Sequence, residues 1–246
     1  MTSTFKYGLL LILTVTLTGC ASTGFDQGRI SDEMSVAGLN QTESDIQTIL
    51  DLNPALGRPF VLGIYFEDYY GVYESQTKNM ILEKLTPMLD QLRNGNVVAD
   101  YMVINNSTVQ ENTVQAVRVA AARHRADAVL MIDTFSDSDL YLNPLSITYL
   151  TFVAAYFVPG TEVDSLGVIS GSLWDTRNQY LYATSYSDAL VHKRRAPFLL
   201  NEHNFEQMAL EAATPLFIAD LAARFESMFI DPESGFKIDL DYLTDE

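Results

Sequence analysis

The stretch "ADAVLMIDTF", residues 126 to 135, constrains the fold more than any other part of the chain. From Ala128 to Ile132 no polar residue interrupts it, so buried and exposed positions cannot alternate. Such a run predicts a strand covered on both faces, with other layers packed above and below it. The flanking sequence supplies those layers. In "RPFVLGIYFEDYY", Phe60, Leu62, Ile64 and Phe66 alternate with Val61, Gly63, Tyr65 and Glu67, which predicts a strand with one strongly apolar face. Ser75 to Arg93 follow as a helix with Ile81, Leu85, Met88 and Leu92 in one stripe, and Pro87 is expected to kink or end it. "VVADYMVIN" (97 to 105) predicts a second strand, and residues 113 to 125 a second helix with Val114, Val117 and Ala121 inward.

Further on, "SLGVISGSLWD" and "YLYATSYSDALV" predict two strands joined by "DTRNQ", a hairpin turned by Asp175 and Asn178. Asn204 to Phe229 form a closing helix, expected to break at Pro215. The order strand, helix, strand, helix, strand, hairpin, helix predicts an α/β (α+β) fold: a small mixed sheet with helices packed on it. "LSITYLTFVAAYFVPG" fits none of these elements. Leu145, Tyr149, Phe152 and Tyr156 lie on one helical face and Ile147, Leu150, Ala154 and Phe157 on the other. A helix apolar all round is buried in protein or lipid, and residues 145 to 158 would rise only about 21 Å, too short to span a bilayer. The expectation is a central helix buried in the domain, with a membrane or partner contact as the alternative.

The N-terminal residues carry an address. Lys6 and the apolar run Tyr7 to Leu17 have the pattern of a secretory signal, too short for a transmembrane helix. Leu17-Thr18-Gly19-Cys20 resembles the lipobox of bacterial lipoproteins, which implies a diacylglycerol on the Cys20 sulfur and cleavage before it. A thiolate is the nucleophile such a transfer needs. Cys20 is the chain's one cysteine, so a disulfide framework is excluded. Ala21, rather than an aspartate, implies sorting to the outer membrane, and two or three acyl chains make a firm anchor. The chain then divides into a signal (1–19), a lipidated polar tether (20–57) with a short helix near Ser44 to Leu52, one globular domain (58–230) and an acidic tail (231–246). The tail has few apolar residues to bury, so its removal is expected to leave the domain intact.

The formal net charge is −17. Loss of the signal removes one lysine and no acid, which deepens it. That balance argues against nucleic acid and against broad contact with anionic headgroups.

"NPLSITYLTFVAAYFVPGT" together with "GSLWDTRNQYLYAT" resembles the rhombotarget lipoprotein family, and "VLGIYF", the helix at 77 to 93 and "ADAVLMID" fit the same layout. The resemblance covers roughly residues 58 to 190. More distantly, the layout is similar to the periplasmic domains of curli-secretion and penicillin-binding-protein-activator lipoproteins. It implies an envelope lipoprotein and carries no activity with it. The acidic ending "KIDLDYLTDE" departs from the C-terminal Gly-Gly, apolar-helix, basic signal for which the family is named.

Candidate chemistry is sparse. Ser75-Gln76-Thr77-Lys78 matches the S-x-x-K pattern of penicillin-interacting enzymes, but Ser187-Asp188 is followed by Ala189 and no Lys-Thr-Gly occurs. The plainer reading has Ser75 capping the helix and Lys78 solvated. His124, His192 and His203 are far apart, without metal-binding spacing, and no metal is expected. Asp133, Asp137 and Asp139 read as a solvated loop after a strand, since the EF-hand glycine and closing glutamate are missing. His192-Lys193-Arg194-Arg195 is the one basic cluster: a contact for lipid phosphate or an acidic partner, or an exposed loop before the last helix. Tyr69 and Tyr70, with Tyr65 and Tyr73, form a binding face or roof a small core.

No general acid, base and nucleophile converge. The expectation is a non-catalytic outer-membrane lipoprotein facing the periplasm. It has no cofactor beyond the lipid on Cys20, an envelope protein as its partner, and self-assembly left open. The rivals are a curli-type channel subunit, for which strands alternating over about 10 residues are needed, and a cell-wall-active serine enzyme using Ser75 and Lys78.

Overall fold

The computed structural model describes residues 24–25, 43–67, 72–111, 113–146, 158–196 and 201–244. The signal, Cys20, most of the tether, Tyr69, Tyr70 and most of the 145–158 segment lie outside them.

Helix α1 (Glu43–Leu50) precedes β1 (Phe60–Phe66), α2 (Val72–Asn94), β2 (Val98–Val103), α3 (Val114–Arg123), β3 (Ala128–Leu142), β4 (Thr161–Asp175), β5 (Leu181–Arg195) and α4 (Glu202–Phe229). The five strands form one mixed sheet in the order β2-β1-β3-β4-β5. β1 is parallel to both β2 and β3, whereas β3, β4 and β5 run antiparallel in turn. The predicted α/β class and element order are those of the molecule.

Both faces of Ala128 to Ile132 are covered. On one, Leu130 and Ile132 join Leu62 and Ile64 of β1, Leu85 and Met88 of α2, and Phe217 and Leu221 of α4 in a single core. On the other, Val129 and Met131 meet Tyr65 of β1 and Val117, Ala120 and Ala121 of α3 in a smaller one. Thr113 starts α3 by accepting a hydrogen bond from the Ala116 amide at 3.2 Å. At ten residues α3 is about 15 Å long, and it packs on β1 and the first residues of β3, with Trp174 of β4 at its edge. β3, β4 and β5 are fifteen residues each and run past it as a long three-stranded arm.

Neither helix breaks at its proline. Pro87 lies inside α2 and Pro215 inside α4. Each follows a threonine whose hydroxyl donates to the carbonyl four residues back, Thr86 to Leu82 at 2.7 Å and Thr214 to Leu210 at 2.8 Å. An interior proline costs about 3 kcal/mol. Buried side chains on both sides of each one outweigh that cost at about 1.5–3 kcal/mol apiece: Ile81, Leu85, Met88 and Leu92 along α2, and Leu210, Phe217 and Leu221 along α4.

Two further expectations are corrected. β3 does not stop at Phe135: "SDSDLYL" continues it, because each residue to Leu142 has a partner on β4. The C-terminal residues do not hang free. Ile238 is buried in the main core with Phe236, Leu240 and Leu243 packed against it. The Gln91 amide donates to the Asp239 carbonyl at 2.7 Å and accepts from its N–H at 2.6 Å. The Tyr242 hydroxyl donates to the Lys84 carbonyl at 3.1 Å.

Candidate functional site

Several ionisable side chains gather at the far end of the arm, on the face turned away from α4. Along β4, odd-numbered residues face α4 and even-numbered residues face away from it, so Glu162 and Asp164 project on the side opposite α4. On β5 the partners in register are Arg194 and His192, and on β3 they are Tyr141 and Asp139. The basic cluster is therefore strand, not loop. Its alternation splits it, with His192 and Arg194 on the face away from α4 and Lys193 and Arg195 on the face of α4.

The carboxylates bind those neighbours. Asp164 lies 2.6 Å from His192 Nδ1 and accepts from the Tyr141 hydroxyl at 3.1 Å. Glu162 accepts from Arg194 Nε at 2.8 Å and from Asn143 Nδ2 at 3.2 Å, and His192 Nε2 is 3.9 Å from its second oxygen. Burial, then the hydrogen bond to Asp164 and the charges of Asp164 and Glu162, push the Tyr141 phenol up to about 12. It therefore stays a neutral donor at any physiological pH. The network also fixes the stem of the apolar segment: the Asn143 amide donates to the Gly160 carbonyl at 2.9 Å, and its side chain to that of Pro159 at 3.0 Å.

Asp133, Asp137 and Asp139 stand on that same face of β3, where Asp137 and Asp139 are buried, which corrects the solvated-loop reading. Among the described residues no group of three or more His, Cys, Asp or Glu side chains is placed to hold a metal ion.

Ser75 is not the helix cap, since α2 begins at Val72. Lys78 extends its ammonium over the Phe66 ring, 5.5 Å from the centroid, and Tyr65 is buried beneath α3. The arm network is made by Tyr141, Asn143, Glu162, Asp164, His192 and Arg194.

A second polar cluster, of which the sequence reveals only the turn formers Asp175 and Asn178, sits at the opposite end of β4 and β5. Asp175 is buried and accepts from the Arg177 amide at 2.7 Å and the Tyr182 hydroxyl at 2.9 Å. The Tyr182 oxygen in turn accepts from the amides of Ala55 and Leu56 at 3.0 and 2.8 Å. Asn178 Nδ2 donates to the Asn53 carbonyl at 2.7 Å, and Arg58 binds the Phe229 carbonyl. The last residues of the expected tether are thus docked on the domain. Buried Arg118 donates to the carbonyls of Asp175 and Thr176 at 2.9 and 2.8 Å and ties α3 to the same turn. A register shift beside Tyr182 turns that ring toward α4, where it meets Phe229 with ring centroids 5.8 Å apart. No spacing rule reveals a bulge of this kind.

Among the described residues no helix is long and apolar enough to cross a membrane. No family model matches the chain, and no curated protein matches it. Several solved structures are loosely similar. One is PelC of Paraburkholderia phytofirmans, a dodecamer, at 13% identity over 65% of this chain and 90% of that one, TM-score 0.28. Another is a minor lipoprotein of Acinetobacter baumannii, at 11% identity over 66% and 92%, TM-score 0.32. A third is a Xanthomonas campestris protein of the DUF330 family model, at 10% identity over 69% and 87%, TM-score 0.28. Likeness at this level carries no functional argument.

Proposed function

We propose that the chain is a non-catalytic lipoprotein of the bacterial envelope, anchored through acyl chains on Cys20 at the periplasmic face of the outer membrane and acting through protein contacts. The observation that carries the reading is Leu17-Thr18-Gly19-Cys20, which places the chain's one thiol directly after a short apolar run. The arm is consistent with a contact role. Arg194 and His192 are held by the carboxylates of Glu162 and Asp164 on the same sheet, and the Lys78 ammonium is over an aromatic ring rather than part of a catalytic group.

The channel reading loses its first objection and meets another. Three strands are long enough to span, but neither face of β5 is continuously apolar: Asp188, His192 and Arg194 interrupt one, and Ser185, Ser187, Lys193 and Arg195 the other. Cys20→Ser decides the anchor. The variant is expected to accumulate as an uncut precursor that leaves the outer-membrane fraction, and normal maturation with unchanged fractionation overturns the reading. Crosslinking in intact cells followed by mass spectrometry then identifies the partner.

A further inference from the structure

β5 is the last strand of the sheet, with no strand on its outer side among the described residues. A fifteen-residue edge invites pairing with another chain, and proteins blunt such edges with bulges and charge. The bulge is present here at Tyr182, where the docked residues 55 and 56 also lie. Beyond it, large side chains on the face away from α4 are left in solvent, Tyr186 51% exposed and Leu190 61%. The ionisable side chains that follow include both acids and bases. Asp188 precedes Leu190 by two residues, and His192 follows it by two. Tyr186 precedes it by four, and Arg194 follows it by four.

We propose that β5 pairs with β5 of a second copy of this chain, antiparallel and about a two-fold axis at Leu190, joining two sheets into one. In that register the strand is self-complementary. Leu190 faces Leu190 of the other copy, Asp188 faces His192, and Tyr186 faces Arg194, each pair occurring twice as an isologous interface requires. On the α4 face Ser187 meets Lys193 and Ser185 meets Arg195, with no like charges opposed. Residues 185 to 195 are all beyond the bulge, so the whole segment is free of the register shift at Tyr182. A register centred two residues earlier would set Asp188 against itself, and one centred two residues later would set His192 against itself and Leu190 against Arg194. Cross-strand pairs of opposite charge or of apolar groups select a register, and like charges directly opposite oppose it.

The test uses the full chain with Cys20→Ser, so that one introduced thiol is alone. Residues directly opposite in an antiparallel pair have Cα atoms about 4.5 to 5.5 Å apart, within the reach of a disulfide. Leu190→Cys is expected to link two copies under mild oxidation. Tyr186→Cys, exposed on the same face but roughly 26 Å from its counterpart at about 3.3 Å per residue, is expected not to. In sedimentation, Asp188→Lys and His192→Asp should each raise the dimer dissociation constant about tenfold. Mixing the two should restore a heterodimer, because the lysine introduced in one copy then meets the aspartate introduced in the other. Melting curves confirm that each variant is folded. A chain that stays monomeric with no Leu190→Cys link overturns the proposal. So do equal linking at both positions, an Asp188→Lys dimer of unchanged strength, and a Leu190→Cys link made only to a different protein. The outcome does not depend on whether Cys20 carries lipid.

Discussion

At Gly167 the backbone of α4 lies close against the sheet. A Cβ there would lie 2.5 Å from the carbonyl carbon of Ala209 and from the amide nitrogen of Leu210. Backbone cannot move aside without carrying the whole helix, so Gly167→Ala should destabilise by the upper part of the roughly 1–3 kcal/mol range for overpacking, or more. At Gly171 the neighbour is the Phe217 ring, at 2.8 Å, and a ring can tilt. Denaturant midpoints should therefore fall further for Gly167→Ala than for Gly171→Ala, and the reverse order would place the tight contact elsewhere. Tyr141 supplies a second prediction. Its raised value means that its contribution to stability is complete below the ordinary 10 and is lost as pH rises through about 12. Between those values the wild type should lose stability more steeply than Tyr141→Phe, as read from urea midpoints. At this scale the sequence announces what acts locally. Asp175 is legible as a turn former because it binds the Arg177 and Asn178 amides. The Asp164 and Glu162 partnerships are not, because register, unknown in advance, brings His192 and Arg194 to them.

Among the elements, the C-terminal segment gives the clearest reversal. It reads as solvated because it is acidic, yet its apolar positions are spaced to meet the groove between α2 and α4. Phe236 occupies the space that a side chain at position 95 would fill, a Cβ on Gly95 coming within 2.6 Å of its ring. Ile238 is 9% exposed, and its amide donates to Glu226 at 2.8 Å. Deletion from Asp231 onward should thus cost about 2–5 kcal/mol, the range for removing one large buried aliphatic side chain, and lower the melting temperature. Gly95→Ala should reproduce part of that loss by pushing Phe236 out. An unchanged melting temperature on deletion would mean that the segment does not dock. β3 misleads for a related reason. "SDSD" has the composition of a loop, but a strand paired along its whole length needs backbone partners, not apolar side chains, and Ser138 finds Ser165 across the ladder at 2.7 Å. The α-helices are easier to read, since a stripe such as Ile81, Leu85, Met88 and Leu92 reports its own period; their passage through Pro87 and Pro215 depends on the packing surface beneath them.

For the molecule as a whole, the layers are legible in the sequence and the arm is not. Alternation within segments implies a sheet between helices, whereas the arm follows from strand lengths that only pairing reveals. Its consequence is a separation of ends. The fifteen residues of β5 span roughly 48 Å at about 3.4 Å each. At one end Tyr182 holds Ala55 and Leu56, where the N-terminal segment joins the domain; at the other stand Glu162, Asp164, His192 and Arg194. Whatever the N-terminal residues are fastened to, the charged end of the arm is presented far from the point where they dock. Tyr182 sets that point, because one hydroxyl accepts from both amides while donating to buried Asp175. Tyr182→Phe keeps the ring against Phe229 and removes all three bonds. Amide exchange at Ala55 and Leu56 should then accelerate about tenfold, the equivalent of one hydrogen bond of about 1.4 kcal/mol. Exchange in the centre of β4 should stay as it was, since its ladder to β3 and β5 does not involve the hydroxyl. If the two amides keep their protection, the docking belongs instead to Asn178 on Asn53 and to Arg58 on Phe229, and Asn178→Ala becomes the variant that releases it.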